Sequence, residues 1–150
     1  MILLVVFISF FSFGLLQAKE REVASQLEFD AAQRLAEVGD VIVWLPGTFK
    51  DVYMDVDKSD IIIKAKVLGE TIFTGKSRVS VKGSRVKVEG FQFLYGYIDK
   101  ENVIETTGDD NVFSQINISG YSSWKYLVIK EESQRVTVVR CNFENRKVLR

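Results

Sequence analysis

The sequence predicts an all-β fold: a right-handed parallel β-helix, closed at its N-terminal end by a capping α-helix. Three observations predict it. First, three stretches recur at a spacing of about 25 residues, in the range of solenoid repeats: RVKVEGFQF from Arg85, NVFSQINIS from Asn111 and RVTVVRCNF from Arg135. Second, their apolar positions coincide when overlaid. Val88 falls on Phe113 and Val138, Phe91 on Ile116 and Cys141, and Phe93 on Ile118 and Phe143. Third, the residue between the last two columns is polar each time, as Gln92, Asn117 and Asn142. Alternation of apolar and polar residues marks a half-buried strand, and its return at a fixed period marks a solenoid. The expected core therefore stacks Phe91–Ile116–Cys141 and Phe93–Ile118–Phe143, with the amides outside. A β-sandwich is the alternative, because VSVKG and VKVEG at 79–90 are near-identical strands two residues apart and would form a hairpin in an antiparallel fold.

The elements follow in order. Ile2 to Leu16 form an uncharged apolar run, followed by LQA and then the charged KERE. The run is shorter than the roughly 20 residues of a membrane-spanning helix and ends at a small residue before charge, so it predicts a secretory signal peptide over 1–18, cut after Ala18. An uncleaved N-terminal anchor is the other possibility. The folded part is then 19–150, and the expected location is secreted, extracellular or periplasmic. Ser25 with Glu28 makes a capping box. Leu27, Ala31, Leu35 and Val38 recur at helical spacing, and Gly39 offers a stop, so a helix with that apolar face is expected over 26–37. A solenoid must cover its end rung, and this helix suits the task. Val41–Trp44 reads as a strand apolar on both faces, and Pro46-Gly47 as a turn. Residues 52–75 give three short strands. VSVKG and VKVEG then read as successive sides of one coil, turning at Gly83 and Ser84. KENVIETTGDD at 100–110 reads as a polar excursion, and SGYSSWKY at 119–126 as a loop.

Composition narrows the chemistry. Among 150 residues, 20 Lys and Arg balance 20 Asp and Glu, so no global field draws the chain to nucleic acid or a membrane. There is no histidine, which removes the commonest neutral-pH base and zinc ligand. Cys141 is the one cysteine, so no disulfide forms within the chain, and its inward column makes it a core residue. Asp109, Asp110 and Asn111 lack the sustained acidic spacing of a calcium loop and read as a solvated turn. Tyr95, Tyr97, Tyr121, Trp124 and Tyr126 flank coil edges, where they either stack on sugar rings or plug corners. From Lys125 onward, seven Lys and Arg against three Glu leave a local excess of +4, an attraction for a polyanion. Arg135, Arg140, Arg146 and Lys147 are the candidate substrate-binding residues. Asn117-Ile118-Ser119 is an N-glycosylation sequon, usable if the source glycosylates secreted proteins.

Several segments together resemble the polysaccharide lyases grouped with chondroitinase B and alginate lyase, family six. Gly39-Asp40, Gly47-Thr48-Phe49 and Lys50-Asp51 stand where that family has Gly-Asp, a Gly-Thr-Tyr-like turn and Lys-Asp. Ile61, Ile63, Lys64, Ala65, Gly69, Thr74 and Gly75 match its next segment. Val88, Gly90, Phe93 and Gly96 match a later strand, and Arg135, Val136, Cys141, Phe143 and Lys147 match a last one. Gln134 and Arg140 stand near places where the family usually has histidines. The resemblance implies a pectate-lyase-like solenoid and β-elimination on an acidic, uronate-containing polysaccharide such as alginate or chondroitin or dermatan sulfate. It implies a lysine base, an arginine and calcium, all in coils later than these, so no catalytic residue or metal ligand is carried onto any position here. The expected partner is an acidic polysaccharide. A last coil without a cap is expected to favour self-association. A non-catalytic glycan-binding β-helix and a purely structural β domain are the competing readings.

Overall fold

The computed structural model describes residues 17–148; the apolar run at 2–16 lies outside the described residues. The chain opens with β1 (Glu20–Val23) and α1 (Gln26–Leu35). Coils follow. The first holds β2 (Val41–Trp44), β3 (Gly47–Lys50) and β4 (Tyr53–Val56), and the second β5 (Ile62–Ala65), β6 (Thr71–Thr74) and β7 (Arg78–Val81). The third holds β8 (Lys87–Glu89), β9 (Phe91–Leu94) and β10 (Asn102–Thr106), and the fourth β11 (Val112–Ser114), β12 (Asn117–Ser119) and β13 (Lys125–Ile129). A last partial coil holds β14 (Thr137–Val139) and β15 (Asn142–Glu144).

From β2 on, each strand pairs in parallel with the strand three later. Three sheets result, in the orders β1-β2-β5-β8-β11-β14, β13-β10-β7-β4 and β15-β12-β9-β6-β3. This is a parallel β-helix, and it excludes the sandwich: Phe93 and Ile118 are parallel partners, as are Ile118 and Phe143. VSVKG and VKVEG fall in different sheets, as successive sides of a coil.

The core is a column of rings. Phe29 of α1 stacks on Trp44 with ring centroids 5.8 Å apart. Trp44 meets Phe73 edge-on at 5.1 Å, and Phe73 meets Phe91 and Phe93 at 5.3 and 5.2 Å. Pairs at these separations add to the burial of large apolar surfaces. The corners carry the backbone's remaining needs. Ser84 N–H donates to Ser59 Oγ, Asp109 N–H to Ser84 Oγ and Gln134 N–H to Asp109 Oδ1, at 2.8 to 3.0 Å. Gly83 and Gly108 stack at the adjoining position, where a Cβ on Gly108 would lie 1.9 Å from the Gly83 carbonyl oxygen. Only glycine allows coils to approach so closely there.

The cap works differently from the expectation. Ser25 accepts the Glu28 N–H as in a capping box, while the Glu28 carboxylate reaches one residue further back and accepts the Ala24 N–H. The helix ends at Leu35, not 37, because Ala36 takes extended backbone. The Asp40 carboxylate then holds the Lys19 and Glu37 N–H groups and Arg21. Those backbone donors, with Arg21, lower its pKa from 3.8 to about 2. The buried face is Phe29, Ala32 and Ala36, whereas Leu27, Leu35 and Val38 are 75, 66 and 64% exposed. The large Phe29 ring, matched to Trp44, decided which stripe turned inward. Gln26 and Gln33 lie along the edge of β4. Gln26 accepts from Tyr53 N–H and donates to its carbonyl at 2.6 and 2.8 Å, and Gln33 donates to the Asp55 carbonyl at 2.6 Å. Side-chain amides thus stand in for a missing strand.

Three further expectations need correction. Residues 100–110 are not an excursion, since 102–106 form β10 with Val103, Ile104 and Thr106 buried and Asn102 and Glu105 turned outward. The segment at 109–111 is not merely solvated, because Asn111 is fully buried and bonded to Val86, Gly83 and Thr106. Phe91, Phe93, Ile116 and Ile118 are buried as expected, but Cys141 is half-buried and Phe143 is 39% exposed, because they lie on the last described rung.

Candidate functional site

Outward residues of β4, β7 and β10 form the floor of a groove. The connections at 95–101 and 120–124 form its wall. Tyr53 and Arg78 are register partners on β4 and β7, so they stand side by side on the floor. The Arg78 guanidinium carbon lies 3.8 Å from the centroid of the Tyr53 ring, a cation–π stack that holds the guanidinium flat. Glu101, at the end of the 95–101 connection, pairs with Arg78 Nη1. The Glu101 carbonyl accepts the Trp124 N–H at 2.9 Å, tying the two connections together. The groove has two lobes, of about 450 and 230 Å³, which meet at Tyr53, Arg78 and Glu101. Tyr97 borders the larger lobe, and Trp124, Lys100 and Lys130 border the smaller. Tyr53, Tyr97 and Trp124 are all exposed. Flat rings beside paired charges suit a sugar polymer that carries anionic groups.

The aromatic residues singled out by sequence divide. Tyr121 is fully buried beside Phe93, with burial pushing its hydroxyl pKa upward, and Tyr126 is buried as well. The Tyr126 hydroxyl accepts the Tyr121 N–H at 3.0 Å and donates to the Glu144 carbonyl at 3.1 Å, so these two plug a corner. Tyr95, Tyr97 and Trp124 face solvent. Tyr53 was missed. Its place one coil before Arg78, in register with it, was the available signal.

The four basic candidates do not converge. They occupy the last coil but at three different corners. Arg135 makes a two-pronged pair with Asp110, Nε and Nη2 lying 2.6 and 2.8 Å from the carboxylate. That contact lowers the Asp110 pKa and raises that of Arg135. Arg140 borders a 300 Å³ groove with Gln92, Asn117 and Asn142. Arg146 donates to the Ser123 and Trp124 carbonyls at 3.1 and 2.6 Å, which places it behind the Trp124 wall. Lys147 is exposed, and its backbone N–H bonds the Tyr121 carbonyl. Asn117 opens β12 within an amide ladder, donating to Gln92 at 3.2 Å and accepting from Asn142 at 3.0 Å. A glycan there would attach to the Nδ2 that donates to Gln92.

The calcium implied by the resemblance finds no ligand set in these coils. Among the described residues no group of three or more acidic, histidine or cysteine side chains converges. Asp109 and Asp110 are engaged by Gln134 and Arg135.

A helix-capped solenoid with three parallel sheets and an aromatic, ion-paired groove on one of them defines the class: this is a parallel β-helix protein. More particularly, the chain belongs to the chondroitinase B family, whose model matches residues 23–136. No curated protein sequence matches it. Among solved structures it is similar to the polysaccharide lyase family 6 enzyme Pedsa3628 from Pseudopedobacter saltans, with a TM-score of 0.70 and 23% identity over 84% of this chain and 38% of that one. It is also similar to the family 6 alginate lyase AlyGC, with a TM-score of 0.65 and 23% identity over 69% of this chain and 16% of that one. The chain thus spans well under half the length of either neighbour. At such identities these likenesses speak for the fold.

Proposed function

We propose that this chain forms the N-terminal coils of a secreted polysaccharide lyase acting on an acidic, uronate-containing polymer, and that it contributes binding rather than cleavage. The family match over 23–136 is the observation that carries this reading. The reaction class is β-elimination: a base takes the C5 proton of the uronate while an acid protonates the departing glycosidic oxygen. In the whole enzyme a divalent cation would supply neutralisation of the uronate carboxylate. We assign these roles to later coils, which the short span of the chain on its neighbours supports. The part given to these coils is to seat the polymer along the β4–β7–β10 groove, supported by Tyr53, Tyr97 and Trp124 around Arg78. Signal-directed secretion through 1–18 belongs to the same proposal.

A non-catalytic glycan-binding module is the second reading, favoured by the Tyr53, Tyr97 and Trp124 rings that these coils themselves supply to the groove. One experiment tests the proposal. The purified chain is mixed with alginate and with dermatan sulfate, and binding and the ultraviolet absorbance of unsaturated uronate are both followed. Weak, salt-sensitive binding without absorbance growth is expected. Steady product formation that Lys147→Ala abolishes would place a whole catalytic site here and overturn the assignment to later coils. Adding downstream coils separates the two readings, since only the lyase gains activity.

A further inference from the structure

We propose that Arg78 is a carboxylate-recognition subsite in the groove, and that Glu101 is a built-in carboxylate which an incoming uronate displaces. This rests on the reading that the groove takes an acidic polymer, and it names the group recognised. Arg78 has the requirements of such a subsite. Its guanidinium is stacked on Tyr53, which fixes its plane and leaves the edge donors for a planar anion. Among the described residues its side chain makes one hydrogen bond, to Glu101. Glu101 lies on no strand. It ends the 95–101 connection, just after Lys100 at φ +55°, and its carboxylate is nearly half exposed. The carboxylate therefore reaches Arg78 from the groove wall and can swing away without disturbing a sheet.

The location matters as well. Arg78 and Glu101 lie where the two lobes meet, so a chain crossing from one lobe to the other must pass over them. Lys100 and Lys130 border the smaller lobe, Lys130 partly engaged by Glu105 at 3.3 Å. Replacing Glu101 by a uronate exchanges one carboxylate for another, so the guanidinium is never left bare. An exposed ion pair of this kind is weak, which makes the exchange easy. A neutral sugar offers nothing to exchange and leaves Glu101 in place. The contact thus acts as a filter that admits acidic rings and rejects neutral ones.

The test uses the purified chain, a mannuronate trisaccharide, its carboxyl-reduced neutral analogue and free glucuronate. Binding is read by calorimetry, and the Arg78 side-chain Nε signal by NMR. Glu101→Gln is expected to bind the trisaccharide about three- to fivefold more tightly than the unaltered chain, with no gain for the reduced analogue. Arg78→Gln is expected to lose about tenfold and to make Glu101→Gln silent when the two are combined. Arg78→Lys, which keeps the charge but not the fork, is expected to lose most of the carboxyl preference. Equal trisaccharide affinity for all variants would overturn the subsite and leave the acidic-polymer reading standing. No trisaccharide binding, with glucuronate still moving the Arg78 signal in Glu101→Gln, would sustain the subsite and overturn the polymer reading. Silence of both probes would overturn both.

Discussion

Replacing Phe93 by Ala and, separately, Phe143 by Ala compares an inner rung with an outer one. Both rings stand in a single inward column, in register as Phe73–Phe93–Ile118–Phe143. Phe93 is fully buried, with the Phe73 and Tyr121 rings at 5.2 and 6.3 Å. Its truncation removes the transfer energy of the ring and leaves a cavity between two coils, about 3–5 kcal/mol together. Phe143 keeps 39% of its surface in water and has a single ring neighbour, Tyr126 at 6.4 Å. No rung lies beyond it among the described residues, so the site relaxes instead of forming a closed cavity. About 1–2 kcal/mol is expected. With a urea dependence of about 1–3 kcal/mol per molar, the two variants should differ in midpoint by about 1 M. Urea unfolding followed by circular dichroism and by tryptophan fluorescence makes the measurement. Equal midpoints would refute the reasoning, because Phe143 would then be covered by something, such as a second copy of the chain.

Three further outcomes are expected. Asp40 has its pKa lowered from 3.8 to about 2, so its stabilisation is fully present above about 4 and is lost as pH falls through 2. Thermal melts between pH 5 and pH 2 should show that loss, and Asp40→Asn should flatten it. Gly108→Ala must push a Cβ to 1.9 Å from the Gly83 carbonyl oxygen, and should lower the melting temperature by several degrees or block folding, whereas Gly39→Ala, whose Cβ meets only Ala18 at 3.8 Å, incurs a smaller backbone penalty. The last described rung exposes Val138, Val139 and Phe143, and among the described residues β14 and β15 each pair on one side only, so the purified chain should self-associate at tens of micromolar by sedimentation, and a monomeric sample would count against open edges.

The winding was legible where the repeat is regular. From β5 to β8, β11 and β14 the coils advance by a constant step, Ile62 pairing with Lys87, Lys87 with Val112 and Val112 with Thr137. The columns through Phe93 and Val88 could therefore be read directly. The first coil is shorter, with Val41 already paired to Ile62, so its column was hidden and only the strands themselves were apparent. The helix face was misread because Leu27, Leu35 and Val38 form as good a stripe as Phe29, Ala32 and Ala36; which one turns inward depends on Trp44, a partner across the chain. The segment 100–110 looked polar because its outward residues outnumber the inward Val103, Ile104 and Thr106. Local charge singles out the basic candidates, but it cannot reveal that Arg135 is already matched to Asp110 a coil earlier. The groove was hidden for the same reason: Arg78 meets Glu101 across a step shorter than the repeat, so no overlay of coils aligns them.

Asp60, Arg85, Asp110 and Arg135 occupy one corner of successive coils, all with φ between +53° and +60°. Their signs alternate up the stack, with Asp60 paired to Arg85 and Asp110 to Arg135. Such a stack constrains how the gene can grow or shrink. Loss of the coil bearing Arg85 would bring Asp60 against Asp110, two like charges on neighbouring rungs, which is unfavourable. Loss of the coils bearing both Arg85 and Asp110 would bring Asp60 against Arg135 and keep every contact attractive. At this corner a change by an even number of coils keeps opposite charges facing one another, whereas a change by an odd number sets like charges together, a modest cost at side chains this exposed.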